Sequence, residues 1–352
     1  MELSVFDTKK AKGIAILGMV MLHLFCRLGE LPYVPLIYIK NVPLIYYLGL
    51  FGDICVPIFC FCSGYAHILL NEKHKDQYNG YIVKKAFSFL LNYWIVVIIF
   101  CIVGKFTSNQ TIIPGSLVDF LGNIFLFDIS YNGAWWFVVT YMFLIALSPI
   151  TINICKKNNS ILLILISGTL YFVAYLFRFV FSVSIDNTLL QWVWEQAKLL
   201  GTSQFAYVTG VIVYKEKWIS SLRLHLKDYK NHGYKKAVFY SIVYVFPMLA
   251  FLGHCIVQSL IVAPITAFTV LLSLFISELP DKINKVLILL GEHSTNIWLV
   301  HMFFYMYIFE GFVFKAKYPI LILIFMVTVC VFTSYSINAI KKLSGKRIDF
   351  LR

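Results

Sequence analysis

Runs of about twenty mostly apolar residues recur along this chain from end to end, and they restrict its fold more than any other feature. Coiled as an α-helix, such a run spans the hydrocarbon core of a bilayer. In lipid the backbone must satisfy its own N–H and C=O groups, so recurring runs imply helices. Composition agrees: of 352 residues 60% are hydrophobic and 13% charged, against about 45–50% apolar and about 25% charged in soluble domains. The expected fold class is therefore all-α, a polytopic helical membrane bundle in a single domain across residues 1–352.

Spans are expected near residues 12–28, 45–70, 82–104, 134–153, 160–183, 197–214, 237–254, 257–278, 287–310 and 318–340, about ten in all. Basic residues test the orientation, because positive charge stays on the cytoplasmic side of short loops. With the N-terminus inside, 30 Lys and Arg residues fall on the cytoplasmic side except Arg27, Lys40, Lys105, Arg178, Lys198, Lys315 and Lys317. Both termini are then cytoplasmic, and the cytoplasmic set includes Lys230 and Arg352. The net charge of +13 follows from this bias and from attraction to anionic membrane lipids, so no nucleic-acid partner is expected. Lys9, Lys10 and Lys12 ahead of the first run imitate a signal peptide, but no small-residue cleavage site follows, and a retained span is expected. The eight cysteines match no disulfide or metal spacing and read as small core residues; no metal is expected. The longest outer connection, Lys105 to Gly133, is expected to cap an external site, while the inner loop from Lys215 to Lys236 is too short for a catalytic domain of its own.

Ionisable residues inside spans are costly and mark function or pairing. Lys12 and His23 lie eleven residues apart, and at about 100° per residue this makes three turns and about 20°, so they share a helix face. About 16 Å of rise separates them, which puts Lys12 near the inner headgroups and His23 deep in the membrane. Two readings stay open on spacing alone: an anion-holding lysine with a proton-transferring imidazole, or a charge anchor with a hydrogen-bonded core histidine. Asp53, ahead of Pro57 and Gly64, either orients a buried His or Arg27 or sits at the outer interface. Ser63 lacks any nucleophile-elbow context. The run from Leu290 and Gly291 through Ser294, Thr295 and Asn296 to His301 reads as a capped helix start with one buried histidine. Arg178, Glu195 and Lys198 near the outer ends of spans either bind a polar substrate or snorkel to the interface.

Four segments in order narrow these alternatives: Lys12-Gly13-Ile14-Ala15-Ile16 through His23; Val56-Pro57 through Ser63-Gly64-Tyr65; Ala134-Trp135-Trp136-Phe137 through Tyr141 to Pro149; and Leu290-Gly291 through Ser294 to Leu299-Val300-His301. Together they resemble the acyltransferase 3 family of membrane-bound O-acyltransferases, from about residue 8 to 340. The resemblance implies a basic residue and an essential histidine on the first span, here Lys12 and His23. It further implies an acyl group, usually acetyl from acetyl-CoA on the cytoplasmic side, passed to a hydroxyl of a surface polysaccharide or its lipid-linked precursor at the cell membrane. Two segments depart from the family pattern. The double phenylalanine before Ser-Gly reads Phe59-Cys60-Phe61-Cys62, and the arginine-rich start of the third span is only Lys84-Lys85, followed by Asn92-Tyr93-Trp94.

The expected site accordingly has His23 as general base, with Lys12, Asp53 and His301 as further catalytic residues. Lys84, Lys85 and Lys12 are expected to hold the phosphates of coenzyme A, although lysine lacks the bidentate fork of arginine. Ser63, Trp136, Arg178 and Asn296 are expected to bind substrate, Ser63 or Asn296 as oxyanion donors. Two rival classes use the same buried polar residues: a transporter or flippase of a lipid-linked sugar, and a sensor or structural subunit without chemistry.

Overall fold

The computed structural model describes residues 2–107, 112–227, 233–309 and 311–348. Lys230 and Arg352 of the expected cytoplasmic set, part of the outer connection and position 310 of the ninth expected span lie outside these residues.

Local sequence explains where the helices start. Helix α1 (Val5–Phe25) opens on a capping box in which Ser4 and Asp7 satisfy each other's backbone N–H groups. After an antiparallel hairpin of two short strands (Tyr38–Ile39 and Val42–Pro43), α2 (Leu44–Leu50) passes through a 3-10 turn at Phe51–Ile54 into α3 (Cys55–His74). Helix α4 (Tyr78–Gly104) follows, and the connection after it contributes α5 (Leu117–Ile124), which has its own capping box at Ser116 and Asp119. Helices α6 (Trp136–Lys157), α7 (Ser160–Phe179) and α8 (Thr188–Lys215) come next, the last two capped by Asn159 and Asn187. The segment after α8 forms α9 (Trp218–Lys227), and α10 (Gly233–Tyr240) joins α11 (Phe246–Val257) through a π turn at Ser241–Val245 ahead of Pro247. Helices α12 (Ala263–Ile276), α13 (Asp281–Val300) and α14 (Pro319–Ile348) complete the bundle.

Among the described residues, five helical stretches are long and apolar enough to cross a membrane: Leu44–Gly104, Gly133–Lys157, Ser160–Phe179, Tyr234–Val257 and Pro319–Leu343. The first, of 61 residues, holds two of the expected spans. Helices α1, α8 and α13 are not in this set, and each carries several charged residues near its ends. The ninth expected span, 287–310, is α-helical only to Val300 and then tightens to a 3-10 turn at His301–Phe304.

Polarity is distributed inside-out relative to a soluble protein. Ile161, Leu165 and Leu170 of α7 and Met248, Leu249, Leu252 and Ile256 of α11 are exposed, while Asp53, His67, Asn92, His254, Asn296 and His301 are buried. Such a surface is suited to lipid, and the interior polar groups find partners within the bundle. Helix α1 lies at the centre of this interior, against α13, α2, α3 and α14. Helix α9 closes one end, where Arg223 reaches Asp7 at 3.2 Å and the Phe275 carbonyl at 3.0 Å.

Candidate active site

Two glycines set the distance between α1 and α13. A Cβ at Gly13 would stand 2.1 Å from the Leu287 carbonyl oxygen, and one at Gly291 would stand 2.0 Å from that of Lys9. Small residues let helix backbones touch in this way inside membrane bundles. Gly291→Ala is therefore expected to cost about 1–3 kcal/mol through overpacking. A clear drop in the midpoint of thermal unfolding in detergent would register this, and an unchanged midpoint would mean that the two helices part freely.

The same contact carries His23 of α1 to the C-terminal end of α13, where its ring meets that of His301 with centroids 4.9 Å apart at 58°. The end of α13 leaves carbonyls without helical partners, and side chains take them up. His301 donates from Nδ1 to the Trp298 carbonyl at 2.8 Å, while Asn132 and Trp135 both donate to that of Leu299 at 3.0 Å. Trp298 in turn donates to the Ala134 carbonyl at 3.0 Å. The Ala134-Trp135-Trp136 segment is thus strapped to the turn that holds His301. With Nδ1 protonated, a neutral His301 presents a bare Nε2 lone pair, and that buried atom has no hydrogen-bond partner among the described residues.

His23 lines a cavity of about 210 Å³ together with Asp53, Trp136, Tyr171, Tyr175 and Arg178. Lys12 lines a second, smaller cavity of about 70 Å³ with Ser63, Tyr141, Ser294 and Thr295. Phe59, Phe137 and Trp298 line both. Three aromatic side chains therefore stand between the Lys12 end and the His23 end, on the helix face that the eleven-residue spacing predicts.

An acyltransferase-domain model, that of the acyltransferase 3 family, matches residues 11–339, from α1 into α14. The chain belongs to the acyltransferase 3 family. No curated protein and no solved structure matches it significantly. As a member of this family it is a membrane acyltransferase, and the match takes in both histidines and both cavities.

In this acyltransferase the other predicted residues divide into two groups. Trp136 and Arg178 join His23, with the guanidinium 4.9 Å from the indole centroid. Ser63 is buried beside Lys12. Lys85 is half-buried on α4 within electrostatic reach of Lys12, whereas Lys84 is exposed. Asp53 borders the His23 cavity, but its carboxylate partners neither His23 nor Arg27. Nε2 of His254 in α11 lies 3.1 Å from it and also 3.2 Å from the Leu50 carbonyl, to which it donates, and both side chains are buried. Asn296 lines neither cavity. Its carbonyl accepts from Asn92 at 2.6 Å and its amide donates to Ser334 at 2.8 Å and Asn338 at 3.0 Å, so it ties α13 to α4 and α14 instead of facing an oxyanion.

Asn92, Tyr93 and Trp94, which stand where the family pattern departs, likewise act as anchors. Tyr93 and Trp94 donate to the Asn123 and Ile124 carbonyls of α5 at 2.7 and 3.0 Å. Two histidines escaped sequence reasoning. His254 pairs with Asp53, and fully buried His67 sets Nδ1 2.8 Å from the Tyr207 hydroxyl, its Nε2 unpartnered among the described residues. The signal available for each was an ionisable ring inside an apolar run.

Proposed function

We propose that this membrane acyltransferase takes an acetyl group from acetyl-CoA on the cytoplasmic side and passes it to a hydroxyl of a cell-surface glycan or its lipid-linked precursor. The placement of His23 on the wall of a cavity, ring to ring with a histidine whose Nε2 is bare, is the observation that carries this reading. The phosphates of the donor dock on Lys12 and Lys85, with Lys84 outside them, and the thioester arm passes Phe59, Phe137 and Trp298 toward His23. In this arrangement ten spans, with both termini in the cytoplasm and the domain resident in the cell membrane, put the Lys12 end inside and the Arg178 end toward the outer surface.

His23 removes the proton of the acceptor hydroxyl as its oxygen attacks the thioester carbonyl. The tetrahedral intermediate collapses, the carbon–sulfur bond breaks, and the leaving thiolate recovers the proton from the imidazolium. Products are the O-acetyl ester and the free thiol of coenzyme A. His301 positions the His23 ring from a fixed tautomer, and Asp53 acts on the cavity through its bond to His254, not as a direct partner of His23.

Purified protein incubated with radiolabelled acetyl-CoA and cell-envelope glycan is expected to move label into the glycan and release one thiol per ester formed. Absence of both label and thiol, with sugar flux across proteoliposomes, would replace the enzyme by a transporter.

A further inference from the structure

Arg178 lies in the last turn of α7, and its guanidinium is held without an ion pair among the described residues. Nη1 donates to Thr202 Oγ1 of α8 at 2.9 Å, and the group lies over the rings of Trp136 and Phe179, 4.9 Å from each centroid. Among the described residues no carboxylate lies within ion-pair distance of it. Asp53 of the same cavity is committed to His254 at 3.1 Å, and Glu195, which acts on Arg178 only from beyond ion-pair distance, is paired to Lys198 at 2.8 Å. A guanidinium offers five N–H donors in a planar fork suited to carboxylate or phosphate. Stacking on aromatic faces offsets only part of the cost of keeping such a charge inside a membrane protein.

The cavity points the same way. The hydroxyls of Tyr171 and Tyr175 on its wall are spent on the Leu260 carbonyl and Ser259, at 2.6 Å each. Beside the neutral N–H groups of the lining, Arg178 therefore brings the charged donors of this cavity. It lines the His23 cavity and not the Lys12 cavity, which places it on the side of the aromatic constriction away from the lysines proposed for coenzyme A.

From this juxtaposition we infer that the His23 cavity contains an anion subsite at Arg178, and that the acyl acceptor carries an acidic group, carboxylate or phosphate, seated there while its hydroxyl meets His23. The word acceptor rests on the proposed transfer; the anion subsite does not.

The test uses the full-length protein in lipid nanodiscs and three probes: a hexuronic-acid disaccharide, a sugar phosphate and a neutral disaccharide of the same size. Binding is followed by tryptophan fluorescence, with Trp136→Phe as the control for the reporting ring. At least one acidic probe is expected to bind about tenfold or more tightly than the neutral one, as a charge-assisted bidentate contact would give. Whichever acidic probe binds better distinguishes a carboxylate from a phosphate source. Arg178→Gln is expected to erase the preference and Arg178→Lys to keep part of it. Equal binding of all three probes by the unaltered protein, or a preference that survives in Arg178→Gln, overturns the subsite. Acidic binding that persists in His23→Ala supports it even if no acyl transfer is ever detected. Transfer to neutral acceptors with the same kcat/KM as to acidic ones would overturn it while leaving the transferase reading intact.

Discussion

His23→Ala is expected to lower acyl transfer by about 10²–10⁴-fold, the range of a removed general base, with little change in folding. The imidazole makes no side-chain hydrogen bond among the described residues; the one side chain that bonds to His23 is Arg27, at the backbone carbonyl, 3.2 Å. Truncation thus orphans no buried partner and costs only its packing against His301. Release of coenzyme A thiol per mole of protein, measured beside the thermal midpoint, separates chemistry from stability. A variant keeping about a tenth or more of the activity would place the base elsewhere. His301 differs in that its Nδ1 proton caps the Trp298 carbonyl, so its removal combines lost positioning with a frayed end of α13.

His254→Leu should produce the largest loss of stability. It removes the partner of a carboxylate that is 6% exposed, its other oxygen already without a hydrogen bond among the described residues. Breaking one side of a buried ion pair costs about 3–5 kcal/mol, because the remaining group keeps its desolvation penalty without its compensation. Replacing both groups by neutral amides, Asp53→Asn with His254→Gln, should recover most of it. Thermal unfolding of the single and double variants in detergent measures the difference; single and double variants of equal stability would show that the pair acts independently of its charge. Transfer should fall in the single variant as well, since Asp53 borders the cavity that His23 lines.

These two histidines mark the boundary between what could be read along the chain and what could not. His23 was legible because its relation to Lys12 is local: eleven residues on one helix fix a shared face whatever surrounds it. The apolar runs were legible for the same reason, since length and hydropathy are properties of a segment, and helices lie at each place where a run was read. Helix ends were less so. The run 287–310 stops being α-helical at Val300, where the strap from Asn132 and Trp135 takes up the Leu299 carbonyl and His301 that of Trp298, both of which a continued helix would have used.

Partnerships between distant segments were not legible. Asp53 was expected to orient a buried His or Arg27 or to sit at the outer interface; its partner is a buried histidine, but which one was not legible, because His254 comes from α11, which the sequence marks only as an apolar hairpin. Asn296 stood among hydroxyls in a motif and so suggested substrate contact, but α4 and α14 converge on it and occupy its donors and acceptor. Arg178 was equally compatible with snorkelling until α6 set Trp136 against it and both came to border the His23 cavity.

The apolar periodicity and charge bias of the chain by themselves determined a helical membrane protein with a basic residue and a histidine on one face, because lipid leaves the backbone no other way to satisfy its hydrogen bonds. Which of the buried polar groups meet was decided only in the folded bundle. Glycine contacts such as Gly13 on Leu287 and Gly291 on Lys9 fix how closely the helices approach, and only at that separation do His23 and His301 touch.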